Sequence, residues 1–106
     1  MVARVGAVGN TSGWAKSGVM IRGDAGAGAG YAFSFFTPNT NTPGQGANFE
    51  YRNGAGSAAQ SAANTGGVSA PGWVKLVRRG GAFTAYRSAD GVSWLQNGPA
   101  VSIAMA

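Results

Sequence analysis

Few side chains in this sequence can move protons or attack a bond: Asp24, Glu50 and Asp90 are its three acids, and it has no histidine and no cysteine. Without thiols or imidazoles there is no disulfide, no thiolate or imidazole catalysis, and almost no zinc or transition-metal chemistry. Glycoside hydrolysis needs two carboxyl groups about 5 to 10 Å apart, and no expected strand carries two acids. Asp90 falls in Ala89-Asp90-Gly91, a turn in which its side chain most simply caps backbone amides. No catalysis is therefore expected. No cofactor is assigned either, and a calcium site would have to draw on Asp24 or Asp90 with loop carbonyls.

Binding chemistry is better supplied. Eight Lys and Arg against three acids leave a net charge of +5, compatible with an anionic surface, an acidic polysaccharide or nucleic acid. The cations are spread singly and only Arg78-Arg79 are adjacent, so nucleic acid is not the expected partner. Sugar recognition uses aromatic rings that stack on the apolar face of a pyranose, with Arg, Lys and Asn taking the hydroxyls. Trp73, Lys75, Tyr86 and Trp94 fall on one face of adjoining expected strands, and Trp14 and Arg22 share a face of another. These six are the candidate ligand-binding residues. The competing reading packs Trp73 and Trp94 beneath a loop or into a subunit contact, since large aromatics are rarely left bare.

The elements that must position them are strands. A chain of 106 residues holds one domain, and its 19 glycines, with Asn, Thr, Ser and Pro clusters between β-branched and aromatic runs, mark many strands joined by turns. Strands are expected near 2–8, 14–22, 30–37, 47–53, 72–79, 82–88, 92–97 and 100–105, with Thr37–Ala47 and Asn53–Ala70 as mobile loops. This is an all-β, antiparallel sandwich. A two-residue turn at Gly80-Gly81 would pair Arg79 with Ala82, Leu76 with Ala85 and Lys75 with Tyr86. A three-residue turn with Gly91 left-handed would then pair Ser88 with Val92, Tyr86 with Trp94 and Ala85 with Leu95. Val74, Leu76, Phe83, Ala85 and Leu95 would face the core. Glu50 is expected to pair with an arginine. No apolar run reaches the ~18 residues of a membrane span, and the start of the chain lacks a signal-peptide pattern.

Three segments carry a resemblance: Trp14-Ala15-Lys16-Ser17-Gly18-Val19-Met20-Ile21-Arg22, Trp73-Val74-Lys75-Leu76-Val77-Arg78-Arg79-Gly80, and Phe83-Thr84-Ala85-Tyr86-Arg87-Ser88-Ala89-Asp90-Gly91-Val92-Ser93-Trp94. In their order and spacing the chain resembles the jelly-roll domains of the bacterial concanavalin A-like lectin/glucanase superfamily, and Ser88 to Trp94 is similar to a compressed aspartate-box hairpin. The resemblance implies a concanavalin A-like jelly roll acting as a non-catalytic carbohydrate-binding module, secreted or at the cell surface. Alternatives are a self-associating structural domain or a fragment of a divergent glycanase. Family members carry an additional amino-terminal segment and further strands after the one matching Ala100 to Ala106. A sandwich short of those strands would expose edges and core, so a homodimer is expected, by edge pairing or by exchange of Ala100 to Ala106.

Overall fold

The structure is a computed structural model and describes residues 1–7, 16–23, 26, 28–38, 46–54, 56–66, 68 and 70–103. Among the described residues there is no helix. The strands are β1 (Val2–Val5), β2 (Ser17–Arg22), β3 (Tyr31–Phe36), β4 (Ala47–Arg52), β5 (Gln60–Thr65), β6 (Gly72–Arg79), β7 (Ala82–Ser88), β8 (Leu95–Gln96) and β9 (Val101–Ser102). They form two antiparallel sheets. The first runs β1-β6-β7, with β8 and β9 both pairing to β7, and the second is the meander β2-β3-β4-β5.

Alternation explains why these segments are strands. Along β6, Val74 and Leu76 are buried while Trp73, Lys75 and Val77 point to the other side, and in β7 Phe83 and Ala85 are buried between Thr84 and Tyr86. The second sheet contributes Val19, Ala32, Phe36, Ala47 and Phe49 to the same core, which Val5 and Ile103 complete. Period-two burial on both sheets places the apolar faces against each other, the arrangement of a sandwich.

The expected hairpin at Gly80-Gly81 forms in the expected register, with Arg79 opposite Ala82, Leu76 opposite Ala85 and Lys75 opposite Tyr86. The following hairpin differs. Tyr86 pairs with Gln96 and Arg87 with Leu95, so the turn is longer than the expected three residues. The cause is Asp90: its Oδ1 accepts the backbone N–H groups of Val92 and Ser93, both at 2.8 Å, which takes those amides out of the ladder. Gly91 is left-handed as expected, with φ +79°. The shift carries Leu95 away from Ala85 to the margin of the sheet, where it is 56% exposed instead of joining the core.

The second correction concerns Asn53–Ala70. This stretch was expected to be a mobile loop, yet Gln60–Thr65 is the edge strand of the second sheet. Gln-Ser-Ala-Ala-Asn-Thr has little intrinsic strand preference, and tertiary partners hold it instead. Thr65 Oγ1 donates to Asn97 Oδ1 at 2.7 Å, and the Asn97 N–H donates to Ala85 O at 2.8 Å, so β5 is tied to the opposite sheet. Most of the other expected loop, Thr37–Ala47, lies outside the described residues.

Candidate functional site

The outer face of the first sheet brings four of the six sequence-predicted residues together. By register, Arg4, Trp73 and Ser88 form one cross-strand row, and Val2, Lys75, Tyr86 and Gln96 the next. Lys75 Nζ stands 4.8 Å from the Tyr86 ring centroid and 4.4 Å from that of Trp94, within cation–π range. Trp73 lies against Gly91, where an added Cβ would come within 2.8 Å of the indole. All four side chains are half-buried. The rings therefore meet their own chain, Trp73 at a turn glycine and Tyr86 and Trp94 at an ammonium. Arg22 is elsewhere, on the outer face of the second sheet opposite Tyr31. Trp14 lies outside the described residues.

The turn beside Trp73 is internally satisfied. Ser88 Oγ accepts from the N–H groups of Asp90 and Gly91 and donates to Asp90 Oδ1 at 3.0 Å. The amides of Ser93 and Val92, then the Ser88 hydroxyl, hold the Asp90 carboxyl below its usual pKa. Asp90 is a cap, and Asp24 lies outside the described residues. Among the described residues, no three acids, histidines or cysteines gather in one place.

The second sheet carries a groove on its outer face, with a volume of about 270 Å³, lined by Lys16, Phe35, Asn48, Glu50, Ala59, Gln60, Ser61 and Asn64. Register builds it: Phe35, Asn48 and Asn64 form one row, and Phe33, Glu50 and Ser61 the next. Asn64 and Ser61 are three residues apart, and plain alternation would put them on opposite faces. A bulge between Phe49 and Glu50 shifts the register by one, so that both face the groove, and Ser61 Oγ donates to Asn64 Oδ1 at 2.7 Å. Gly46 lets the two strands close at one end: its φ is +136°, and a Cβ there would sit 2.2 Å from Thr65 O. Asn48 is locked by its own amide, which donates to Gly46 O at 3.1 Å.

Electrostatics centre on Glu50. Its Oε1 accepts the Tyr31 hydroxyl at 2.7 Å, and its Oε2 lies 3.8 Å from Lys16 Nζ. A lysine and a tyrosine thus hold the acid for which an arginine was expected. Lys16 also stands 5.6 Å from the Phe35 ring, which helps to explain a phenylalanine only 4% exposed on the outer side of a strand. Burial first, then donation to Glu50 and its negative charge, push the Tyr31 phenol up to about 12. It therefore remains a neutral donor across the ordinary pH range. Among the described residues, Glu50 is the only carboxylate lining the groove. The groove offers amide, hydroxyl, carboxylate and ammonium groups on a sealed aromatic floor, a set suited to binding hydroxyls.

Compared with protein-family models, with curated proteins and with solved structures, the chain matches none.

Sequence reasoning missed the groove because three of its residues belong to the strand read as a loop, and because the bulge that aligns Ser61 with Asn64 has no compositional mark. Lys16, Phe35 and Glu50 did lie on expected strands. The available signal was that Glu50 and Lys16 are outward positions of strands whose alternate residues are apolar.

Proposed function

We propose that this domain is a non-catalytic carbohydrate-recognition module and that a sugar ring sits in the groove of the second sheet. One observation carries the reading: Asn48, Glu50, Ser61 and Asn64, from strands held in register, and Lys16, just before β2, converge on one concavity. Ligand sites for drug-sized molecules run from about 300 Å³ upward, so about 270 Å³ suits one ring of a longer saccharide. Among the described residues the groove is lined by one carboxylate, which supports binding over hydrolysis, a reaction that uses two. The finer fold reading, a concanavalin A-like jelly roll, belongs to the same proposal. Its support is the path of the chain, which leaves β1, runs the second sheet as a meander and returns to pair β6 with β1.

A glycan array on the purified domain tests the function. Binding that falls at least tenfold in Asn64→Ala and in Glu50→Gln, with unchanged circular dichroism, supports it. Full binding in both variants would remove the ligand from the groove. A second reading, association of two copies, draws on the exposure of Val92 (81%), in the turn before the short edge strand β8, and of Leu95 (56%) within that strand. Exchange of the terminal strand would have to release Val101–Ser102 from β7 and Ile103 from its own core. Light scattering separates the states, at 10.6 kDa or twice that mass.

A further inference from the structure

The groove uses one of the three acids, and the turn after β7 uses another. Glu50 is met by Lys16 and Tyr31, and the Asp90 carboxylate is directed at the amides of Val92 and Ser93. Three cations on the outer face of the first sheet stand apart from these contacts. Arg4 lies opposite Trp73 on the outer face, and Lys75 and Arg79 alternate onto that face from β6. From the Trp73 rung to Arg79 is six residues, about 20 Å of strand. Among the described residues, none of these three cations forms an ion pair: the one pair present is Lys16–Glu50 on the other sheet. Asp90, at the Trp73 end, is the nearest acid in sequence to Lys75 and Arg79, and its oxygen is already accepting.

Lys75 has a further property. Its ammonium is held over Trp94 and Tyr86, so the long side chain is already ordered and need not be immobilised when an anion arrives. The aromatics then serve the cation. Nucleic acid fits this face less well, because single strands gain affinity by stacking bases on open rings, whereas here Lys75 and Gly91 stand on the rings. A stripe of separated cations, one of them pre-ordered, matches a linear polymer bearing carboxylates at intervals along its length.

We propose that the outer face of the first sheet is a second binding face, independent of the groove, and that its ligand is a linear acidic polysaccharide of the polyuronate class laid along β6 with its carboxylates at Arg4, Lys75 and Arg79. The complex forms by charge pairing and is salt-sensitive.

The experiment measures binding of the full chain to polygalacturonate by calorimetry, with dextran and a single-stranded oligonucleotide as comparators. The expected result is binding to polygalacturonate that weakens at least tenfold between 50 and about 300 mM salt, following the screening of exposed charges. The double variant Arg4→Gln/Arg79→Gln, in which both residues are exposed and the fold is not at stake, should lose about tenfold. Lys75→Gln should lose a similar factor, Lys75→Arg should retain most of the binding, and the groove variant Asn64→Ala should remain within twofold of the parent. Equal binding of dextran, indifference to the Arg4/Arg79 double variant, or tighter binding of the oligonucleotide would each overturn the proposal, the last by making nucleic acid the ligand. Loss in Asn64→Ala alone would assign the polymer to the groove.

Discussion

The two outer faces of this sandwich are made from the same materials and end in different states. Each combines aromatic rings with cations on alternate strand positions. On the second sheet a carboxylate joins them: Glu50 takes Lys16 and Tyr31, and the cations nearby are also engaged, Arg52 standing 5.2 Å from the Tyr31 ring and donating to Ala29 O. The result is a polar groove with a buried floor. On the first sheet no acid joins the row, and Lys75 turns to Tyr86 and Trp94. The difference lies in one carboxylate. Lys16 and Lys75 both stand over aromatic rings, but Lys16 also reaches Glu50 and joins a polar network, whereas Lys75 forms no ion pair among the described residues and is held by Tyr86 and Trp94.

The strongest way to break the comparison is to remove what both faces share. Phe49 is fully buried between the sheets, and Phe49→Ala should cost ~3–5 kcal/mol. Chemical denaturation checks it, and both binding activities should fall together. A loss below 1 kcal/mol would mean that the two sheets do not share this core.

Gly91→Ala should separate the faces. The residue is left-handed, and the new methyl meets the Trp73 indole, so a destabilisation of about 1–3 kcal/mol is expected, with a shift in tryptophan emission and no change at the groove. An unchanged emission spectrum would place Trp73 away from the turn.

Tyr31 sharpens the other side. Its phenol is raised from 10.0 to about 12 in the folded chain, so the stability it contributes is complete below pH 10 and is lost as the pH rises through about 12. Tyr31→Phe should abolish that alkaline loss and cost about 1 kcal/mol at neutral pH for the missing hydrogen bond. Absorbance titration at 295 nm should lose its highest component in this variant. If that component persists, it belongs to another tyrosine.

The smallest effect is expected at Lys16. Its side chain is 43% exposed, and a double-mutant cycle with Glu50 should give a coupling of about 0.2–1 kcal/mol that shrinks in high salt. A larger, salt-insensitive coupling would mean that water is excluded from the groove mouth.

The amino-acid sequence determined those features that depend on neighbours along the chain. Alternation in Gly72–Arg79 and Ala82–Ser88, with Gly80-Gly81 between them, specified two strands, their register and the outward set Trp73, Lys75 and Tyr86, because period-two burial and a tight turn leave one arrangement. The turn at Asp90 was only half legible: its capping role follows from residue type, but the lengthened turn follows from which amides the carboxylate captures. Tertiary structure alone decided the rest. Gln60–Thr65 became a strand because β4 supplies a ladder and Asn97 an anchor, not because of its own propensities. The bulge then carried Ser61 around to join Asn64 beside Glu50, and a groove appeared from residues that no local pattern connects. Strand pairing between distant segments depends on the backbone groups and surfaces that the remainder of the fold leaves open, and these exist only once the sheets have assembled.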